Sequence, residues 1–587
     1  MAALLEPAYK ELVASMPQSA FVEALHLLSP DYFVEPYKAV YAPLHPHSTE
    51  VKMHRSLELI FDDFARNLSA IIRGRRSAGH KLGLAEYTHL LDCARSSGDA
   101  LMADYVWHAM KKDKVVPDIR CYNHYMEVKV WNRSYSGLEK FRLRVTPFSY
   151  RRRRFQDPGW QGYGTARYSV RKEVREIFDE MTQAGYEGNE ASIVSLFMAS
   201  ARVGHVPGMK KILKTVWNVD VNALNAGVRD PVAEHDRSSP LHPTDHLLYA
   251  VAHGFSTNND IASALKIIEH ISDSYDLVVP SRVWRELFER SFVLSRPRYG
   301  SEVKRDTKGK VTFDFVKGLF ETMVQEPFNI VPTVDMLSKM ARNAWSSRKL
   351  DDYLHHMRAA YKILDETRRK RHAARTMVES YFLAPRLGNK QLDPRVLRSR
   401  GFADAVHAYG ILRLHVMQQT VLMERLARKL VTRGNWTPDS PYWDRMGLPR
   451  ALEEWRDFLP QHFDCRARNY NITFEGSTHF GAAWYPAHSK FQVRRPSLND
   501  EFTLDETANE REDDFFWNRW RDNMHEDDLS FPLLKRIFDP MRPDLDLNSF
   551  RSASMRPSKG LREAASKRLK EGEFSWTFGK LGEPDPA

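Results

Sequence analysis

The chain has 587 residues, with 87 Lys and Arg against 76 Asp and Glu, which gives a formal net charge of +11. A hydrophobic fraction of 42%, a charged fraction of 28% and three scattered cysteines exclude collagen, wholesale disorder, a polytopic membrane protein and a disulfide scaffold. No stretch approaches the ~18 apolar residues of a membrane-spanning helix, so no membrane span is predicted.

The N-terminal region, residues 1–80, is predicted to be helical, with one helix from Glu50 to Ile72. It contains no convincing matrix presequence, because the first arginine is Arg55 while Glu6 and Glu11 come early. If the protein works in an organelle, its start is misassigned or its targeting signal is atypical.

A repeat of 35 residues follows this region, since Tyr87 and Tyr122 begin two similar stretches. Apolar residues recur after Tyr87 with helical spacing, Gly98 breaks the helix, and Pro117 ends the repeat. The second helix of this repeat is predicted from a further apolar set: Leu101, Ala103, Val106, Trp107 and Met110. The pattern predicts helix, turn, helix, turn, and such a pair must stack on neighbours to bury its apolar face.

The second repeat is interrupted by about 36 residues, because the helix that should follow Tyr122 reappears only at residues 174–181. The third repeat keeps the new spacing, with Ile193 at the tyrosine position and Gly204 at the glycine position. An insertion that leaves both flanking repeats in phase is typical of a loop in a repeat protein. Weaker repeats are predicted up to residue 360.

These repeats resemble the pentatricopeptide repeat family. The matching motifs are Tyr122-Asn123, Gly98, Ala103, Phe178-Asp179-Glu180-Met181 and Pro117-Asp118. The resemblance covers residues 82–360, and it implies an all-α fold in which helix-turn-helix repeats form an α-solenoid. The tetratricopeptide family is the nearest alternative, but its Trp-Leu-Gly-Tyr pattern is missing.

The resemblance also implies which residues read RNA bases, one base per repeat. Thr88 would act with Asp118, and Asn123 would act with Asn189. The family pairing favours a purine for the first pair and a pyrimidine for the second. The structural alternative is that Asp118 and Asn189 only cap the helices that follow them. Val194 stands at the reading position of the third repeat and cannot form a hydrogen bond to a base.

The insertion, about residues 133–170, combines arginines with aromatic residues. The arginines expected to contact RNA are Arg142, Arg144, Arg151, Arg152, Arg153 and Arg154. Between residues 120 and 175 there are 14 basic and four acidic residues, a balance that attracts polyanions. The alternative is a surface loop that docks on the chain's own acidic segment at residues 500–528.

No motif for catalysis, metal binding or a cofactor is found. The phosphate-loop, dinucleotide and zinc-protease signatures are all missing. The carboxylates Asp513, Asp514, Asp527 and Asp528 lack the Cys and His zinc clamp of the pentatricopeptide nucleases. We therefore predict that the protein is not an enzyme and holds no cofactor and no metal.

Two further regions complete the predicted organisation. Residues 361–432 are predicted to add more helices, and the stretch from 350 to 432 reads as three helices. Residues 433–587 contain many tryptophans, prolines and acids, which predicts an irregular extension that packs on the solenoid or contacts a partner.

The resemblance implies a mitochondrial, matrix-located factor that binds single-stranded RNA, either messenger or ribosomal RNA, and not DNA. It would stabilise a transcript or promote its translation. The sparse, degenerate repeats and the Trp-rich C-terminal region are most like those of the fungal mitochondrial members, a group that includes the ATPase expression factors. The alternatives are a scaffold on the mitochondrial ribosome, whose insertion grips ribosomal RNA, and a solenoid that binds only protein.

Overall fold

A computed structural model provides the structure of the chain. It describes residues 1–5, 9–44, 56–136, 169–296, 309–387, 399–432 and 447–455, positions 443, 458 and 459, and four strands between 462 and 491. The described residues fall into two compact units, with the boundary between Ile330 and Val331. We call them the N-terminal unit and the C-terminal unit.

Six helices precede the first repeat among the described residues of the N-terminal unit. They are α1 (Ala2–Leu5), α2 (Lys10–Ser15), α3 (Gln18–His26), α4 (Pro30–Phe33), α5 (Glu35–Tyr41) and α6 (Leu57–Ser77). The described residues of this region are largely helical, and α6 begins at Leu57, seven residues after the predicted Glu50. Ser56 sets this start, since its side chain accepts a hydrogen bond from the backbone N–H of Leu59 at 3.3 Å.

The remainder of the described N-terminal unit contains five helix pairs, one short α-helix and one 3-10 helix, Ser134–Ser136. The first helices are α7 (Leu84–Ser97), α9 (Ile119–Trp131), α11 (Glu190–Arg202), α14 (Asp245–Thr257) and α16 (Ser281–Ser295). The second helices are α8 (Ala100–Lys112), α10 (Val170–Gln183), α12 (Val206–Trp217), α15 (Ile261–Tyr275) and α17 (Phe313–Val324). The short helix is α13 (Val221–Asn225).

The pairs stack in chain order. The two helices of each pair pack together, and each first helix also packs against the next first helix along the chain. The first helices α7, α9, α11, α14 and α16 therefore form one continuous row. The predicted helical-repeat fold is confirmed, including the late second helix, α10, that follows the insertion.

The ends of these helices follow from local side-chain chemistry. Asp99 caps α8, Asp118 caps α9 and Asn189 caps α11, each accepting a hydrogen bond from a backbone N–H at the helix start. Gly98 ends α7 in the left-handed conformation, with φ of +67°. A side chain is excluded there, because a Cβ would lie 2.7 Å from the carbonyl oxygen of Trp131.

The apolar positions predicted for the first repeat lie in its core. Tyr87, Leu91 and Ala94 are at most 1% exposed, and Met110 is fully buried. Leu101 is the exception, with 55% of its surface exposed. As the second residue of α8, it falls outside the buried stripe formed by the other members of the predicted set.

The C-terminal unit also begins with helices. They are α18 (Val334–Ser346), α19 (Leu350–Leu387), α20 (Arg400–Thr432) and α21 (Leu448–Glu454). Helices α18, α19 and α20 all pack against one another. The described part of residues 350–432 thus contains two long helices where three were predicted, and α20 continues through Gly410 without a break.

A four-stranded antiparallel sheet follows, which was not predicted. Its strands, β1 (His462–Arg466), β2 (Tyr470–Glu475), β3 (His479–Trp484) and β4 (His488–Phe491), pair in chain order. The extension is therefore not irregular throughout. The stretch Tyr470–Glu475 alternates apolar and polar residues, which is the period of a strand and could have indicated one.

Within the described ranges, none of the helices is both long and apolar enough to cross a lipid bilayer.

Candidate nucleic-acid interface

The candidate reading residues occupy equivalent places on neighbouring helices. Thr88 is the fifth residue of α7, Asn123 is the fifth residue of α9, and Val194 is the fifth residue of α11. Asp118 and Asn189 directly precede α9 and α11. Each predicted pair therefore joins one first helix to the start of the next, where the two helices pack.

Asn123 and Asn189 contact each other directly. The Nδ2 of Asn123 donates a hydrogen bond to the Oδ1 of Asn189 at 3.0 Å. The hydroxyl of Ser192 lies 2.6 Å from the Oδ1 of Asn123 and 2.9 Å from the Oδ1 of Asn189. Both asparagines are partly exposed, whereas Ser192 is fully buried. The structure thus brings the predicted second pair together around a buried serine.

Thr88 and Asp118 meet at Cys121 in a similar arrangement. Asp118 accepts a hydrogen bond from the backbone N–H of Cys121 at 2.8 Å, and the Cys121 thiol lies 3.2 Å from the hydroxyl oxygen of Thr88. Thr88 donates its own proton to the carbonyl of Leu84 at 2.8 Å. Burial raises the pKa of Cys121 to about 11, so the thiol keeps its proton at neutral pH.

The helix-capping alternative is also present in the structure. Asp118 and Asn189 both accept a backbone N–H three residues ahead, at 2.8 and 3.1 Å. A carboxylate or amide oxygen can accept more than one hydrogen bond, and the other atoms of each side chain remain available. Capping and base reading are therefore compatible at both positions.

At the third junction, where α11 packs against the start of α14, the chain's own backbone occupies the polar side chain. Val194 is 2% exposed, and the carboxylate of Glu190 accepts hydrogen bonds from the backbone N–H of Thr244 at 2.6 Å and of Leu247 at 3.3 Å. Thr244 also donates its hydroxyl to the same carboxylate at 2.7 Å. This junction offers no polar pair of the kind found at the first two junctions. The third repeat therefore lacks a pair of side chains there that could read a base.

Aromatic and charged residues follow along the row. The fifth residue of α14 is Tyr249, and the guanidinium of Arg282 lies 5.6 Å from the centre of its ring. Arg282 also pairs with Asp245 at 2.7 Å. The fifth residue of α16 is Arg285, which is exposed.

One turn beyond the reading residues, the same helix face carries paired charges. Arg95 contacts Asp92 at 2.6 Å and Glu127 at 3.5 Å. Asp92 follows Thr88 by four residues and Glu127 follows Asn123 by four, so they share the face of the reading residues. This arginine is therefore already balanced by two carboxylates.

A second ionic cluster lies farther along the row. The carboxylate of Glu286 accepts from Arg290 at 3.0 Å and lies 2.8 Å from the Nδ1 of His253. Burial lowers the pKa of His253 and outweighs the attraction of Glu286, so Arg290 supplies the balancing charge. The ring of Trp131, at the end of α9, contacts the ring of His253 with centres 5.0 Å apart.

The predicted arginines of the insertion lie outside the described residues. These are Arg142, Arg144, Arg151, Arg152, Arg153 and Arg154. Their RNA contacts remain a prediction. Within the described ranges, no group of three or more His, Cys, Asp or Glu side chains is arranged to hold a metal ion.

Sequence reasoning missed Ser192 and Glu190, which shape the second and third junctions. Both belong to the first turn of α11, where the Asn189 cap places residue 192 within reach of its side chain. That three-residue spacing is a capping pattern and was visible in the sequence. The contact of Ser192 with Asn123, 69 residues earlier, was not.

Comparison with known proteins gives two family matches. Residues 71–132, which include α7, α8 and α9, match a pentatricopeptide repeat domain. Residues 190–305, which include α11 to α16, match a family described as mitochondrial ATPase expression. The matches thus fall on either side of the insertion, and the first of them includes Thr88, Asp118 and Asn123.

One curated relative is pentatricopeptide repeat-containing protein 6, mitochondrial, of Schizosaccharomyces pombe, with 20% identity over 232 residues. The match covers 40% of this chain and 46% of that protein. Two solved structures of the pentatricopeptide repeat protein PPR10 with an 18-nucleotide psaJ RNA element also match, one carrying three cysteine-to-serine changes. Each has 13% identity and a TM-score of 0.29, over 68% of this chain and 47% of that one.

The chain therefore spans about half the length of the relatives it matches. The predicted resemblance is confirmed: parts of this chain are similar to pentatricopeptide repeat proteins and to a family described as mitochondrial ATPase expression.

Proposed function

We propose that this protein binds a single strand of a mitochondrial transcript along its row of first helices and performs no catalysis. Binding would protect the transcript or promote its translation. The observation that carries the proposal is the direct contact of Asn123 with Asn189 at a junction between successive first helices. Both amides are partly exposed, so a base can reach them from the solvent side.

The chemistry of the two pairs suits base reading. Amides both donate and accept hydrogen bonds, and a hydroxyl with a carboxylate offers a different pattern at the neighbouring junction. Because Thr88 and Asn123 occupy the same place on adjacent helices, they would read adjacent nucleotides. The closed junction at Val194 and Glu190 would then interrupt base reading after the second position.

The mitochondrial location and the target rest on similarity. The matched family is described by mitochondrial ATPase expression, and the relative from Schizosaccharomyces pombe is named as mitochondrial. We therefore propose the mitochondrial matrix as the compartment and a messenger RNA needed for ATP synthase expression as the target. The arginine-rich insertion would add contacts to the phosphate backbone.

Crosslinking the full chain to RNA in cells, followed by sequencing of the attached RNA, tests this proposal. We expect one mitochondrial messenger RNA to dominate, and we expect Asn123→Ala to remove that enrichment. A scaffold on the mitochondrial ribosome would instead crosslink to ribosomal RNA, ignore Asn123→Ala and respond to neutralisation of Arg151, Arg152, Arg153 and Arg154. Absence of any crosslinked RNA would indicate a solenoid that binds only protein.

A further inference from the structure

We propose that Ser192 is a positioning residue that sets the base preference of the Asn123–Asn189 pair by fixing how both amides are rotated. This inference rests on the proposed function, because it concerns what the pair presents to RNA. Ser192 is fully buried, so it acts through the asparagines and not by touching a base itself.

The backbone of Ser192 fixes the first amide. Which end of an asparagine side chain carries the oxygen must be deduced from its hydrogen bonds. A backbone N–H can only donate, and that of Ser192 lies 3.1 Å from the Oδ1 of Asn189. The oxygen of Asn189 must therefore point towards α11, and its Nδ2 is turned away from this N–H.

The second amide follows from the first. Because the Oδ1 of Asn189 is an acceptor, the atom of Asn123 that lies 3.0 Å from it must be the Nδ2. A rotated Asn123 amide would place two oxygens against each other. The Oδ1 of Asn123 then faces the Ser192 hydroxyl at 2.6 Å, which supplies the donor that this oxygen needs.

The result is a pair that mainly offers hydrogen-bond donors to an incoming base. Asn189 keeps both hydrogens of its Nδ2, and Asn123 keeps one, while the Oδ1 of each residue is engaged with Ser192. Such a surface favours a base edge with hydrogen-bond acceptors. Without the hydroxyl, the oxygen of Asn123 is released, and the amide can offer a donor or an acceptor to an incoming base.

The preceding pair supports this role for the position. Ser192 is the third residue of α11, and Cys121 is the third residue of α9. Each holds the cap that precedes its helix through its backbone N–H, and each reaches the fifth residue of the previous first helix through its side chain. A buried donor at this place therefore recurs at both junctions that carry a reading pair.

The test uses the full chain and RNA selected from a randomised library with the wild-type protein. Four RNAs that differ only at the nucleotide sensed by Asn123→Ala are then compared by fluorescence anisotropy. We expect Ser192→Ala to reduce the ratio between the weakest and tightest dissociation constants by about threefold to tenfold, the range for one lost hydrogen bond. Binding of the weakest RNA should change by less than about twofold.

Two further variants separate positioning from folding. Ser195→Ala is the matched control, because the buried hydroxyl of Ser195 donates only to the carbonyl of Ala191 in its own helix, at 2.9 Å. It should keep the wild-type ratio. Ser192→Cys should restore part of the ratio, since a thiol donor serves at the equivalent place in the preceding pair.

Different outcomes would contradict the role of Ser192 and the proposed function in RNA binding. If Asn123→Ala abolishes the base preference while Ser192→Ala retains it, Ser192 has no positioning role and the inference is wrong. If Ser195→Ala lowers the ratio as much as Ser192→Ala, the effect is one of helix packing and the inference is also wrong. A wild-type protein that binds RNA without any base preference would contradict the proposed function itself.

Discussion

Replacement of Gly98 by alanine should loosen the junction that aligns the two reading pairs. Gly98 ends α7 with φ of +67°, a conformation that costs an alanine about 1–2 kcal/mol. Its added Cβ would also lie 2.7 Å from the carbonyl oxygen of Trp131 and 3.0 Å from the ring of Tyr135. Neither neighbour moves freely, because the Ser134 hydroxyl donates to that carbonyl at 2.6 Å and Lys38 lies 3.8 Å above the ring.

Such overpacking adds about 1–3 kcal/mol, so the total cost of Gly98→Ala is about 2–5 kcal/mol. Gly185→Ala is the matched control. Gly185 has φ of +88°, but nothing lies within 4 Å of its added Cβ, so only the conformational cost of about 1–2 kcal/mol applies. The difference between the two variants isolates the contact between α7 and the end of α9.

Amide hydrogen exchange of peptides from α7 and α9 measures this difference, since a chain of two compact units need not unfold in one step. We expect exchange in these peptides to be at least about thirtyfold faster in Gly98→Ala than in wild type, the factor that corresponds to about 2 kcal/mol, and nearly unchanged there in Gly185→Ala. Equal protection of α7 in the two variants would refute the close packing at Gly98.

Three further changes test the site and its surroundings. Burial lowers the pKa of His89 to about 4, with nearby His26 adding to the effect, so unfolding takes up a proton between that value and the ordinary 6.5. Stability is then fully present above pH 6.5 and falls by up to about 3 kcal/mol as the pH drops towards 4; thermal melting should show this loss, and His89→Gln should flatten it. Asp118→Asn should keep the helix cap but change the base preferred at the first pair. Asp118→Ala should change that preference and also cost about 1 kcal/mol of stability, measured by chemical denaturation. If neither variant changes the base preference, Asp118 only caps the helix. Glu190→Gln should speed hydrogen exchange at the start of α14 by several-fold, because an amide has one acceptor oxygen where the carboxylate has two, while Glu187→Gln on the exposed surface should have no effect.

Most of the fold that could be predicted from the sequence followed from the 35-residue period of the repeats. Tyr87, Tyr122 and Ile193 lie 35 and 71 residues apart, and each is the fourth residue of a first helix. The spacing itself predicted that the repeats stack in chain order. The pairing of Asn123 with Asn189 across the insertion was instead implied by the resemblance to the pentatricopeptide repeat family.

Features that depend on side-chain packing could not be predicted in this way. The burial of Glu190 against Thr244 depends on the path of residues 226–244, which have no repeat counterpart. The role of Ser192 depends on a contact that spans 69 residues of chain. The strands of the C-terminal unit lie in a segment rich in tryptophan, proline and acidic residues, a composition that predicts irregular structure, whereas the alternation in Tyr470–Glu475 is that of a strand.

The carboxylates beside Arg95 have a consequence for how binding should respond to ionic strength. Asp92 and Glu127 already neutralise this arginine, and Glu286 does the same for Arg290. An RNA backbone bound along these helices gains little affinity from releasing its condensed cations, because few unpaired positive charges on the helices would replace them. Contacts made by the first-helix row should therefore weaken only gently as potassium chloride is raised, and any steep dependence would have to originate in basic segments elsewhere in the chain.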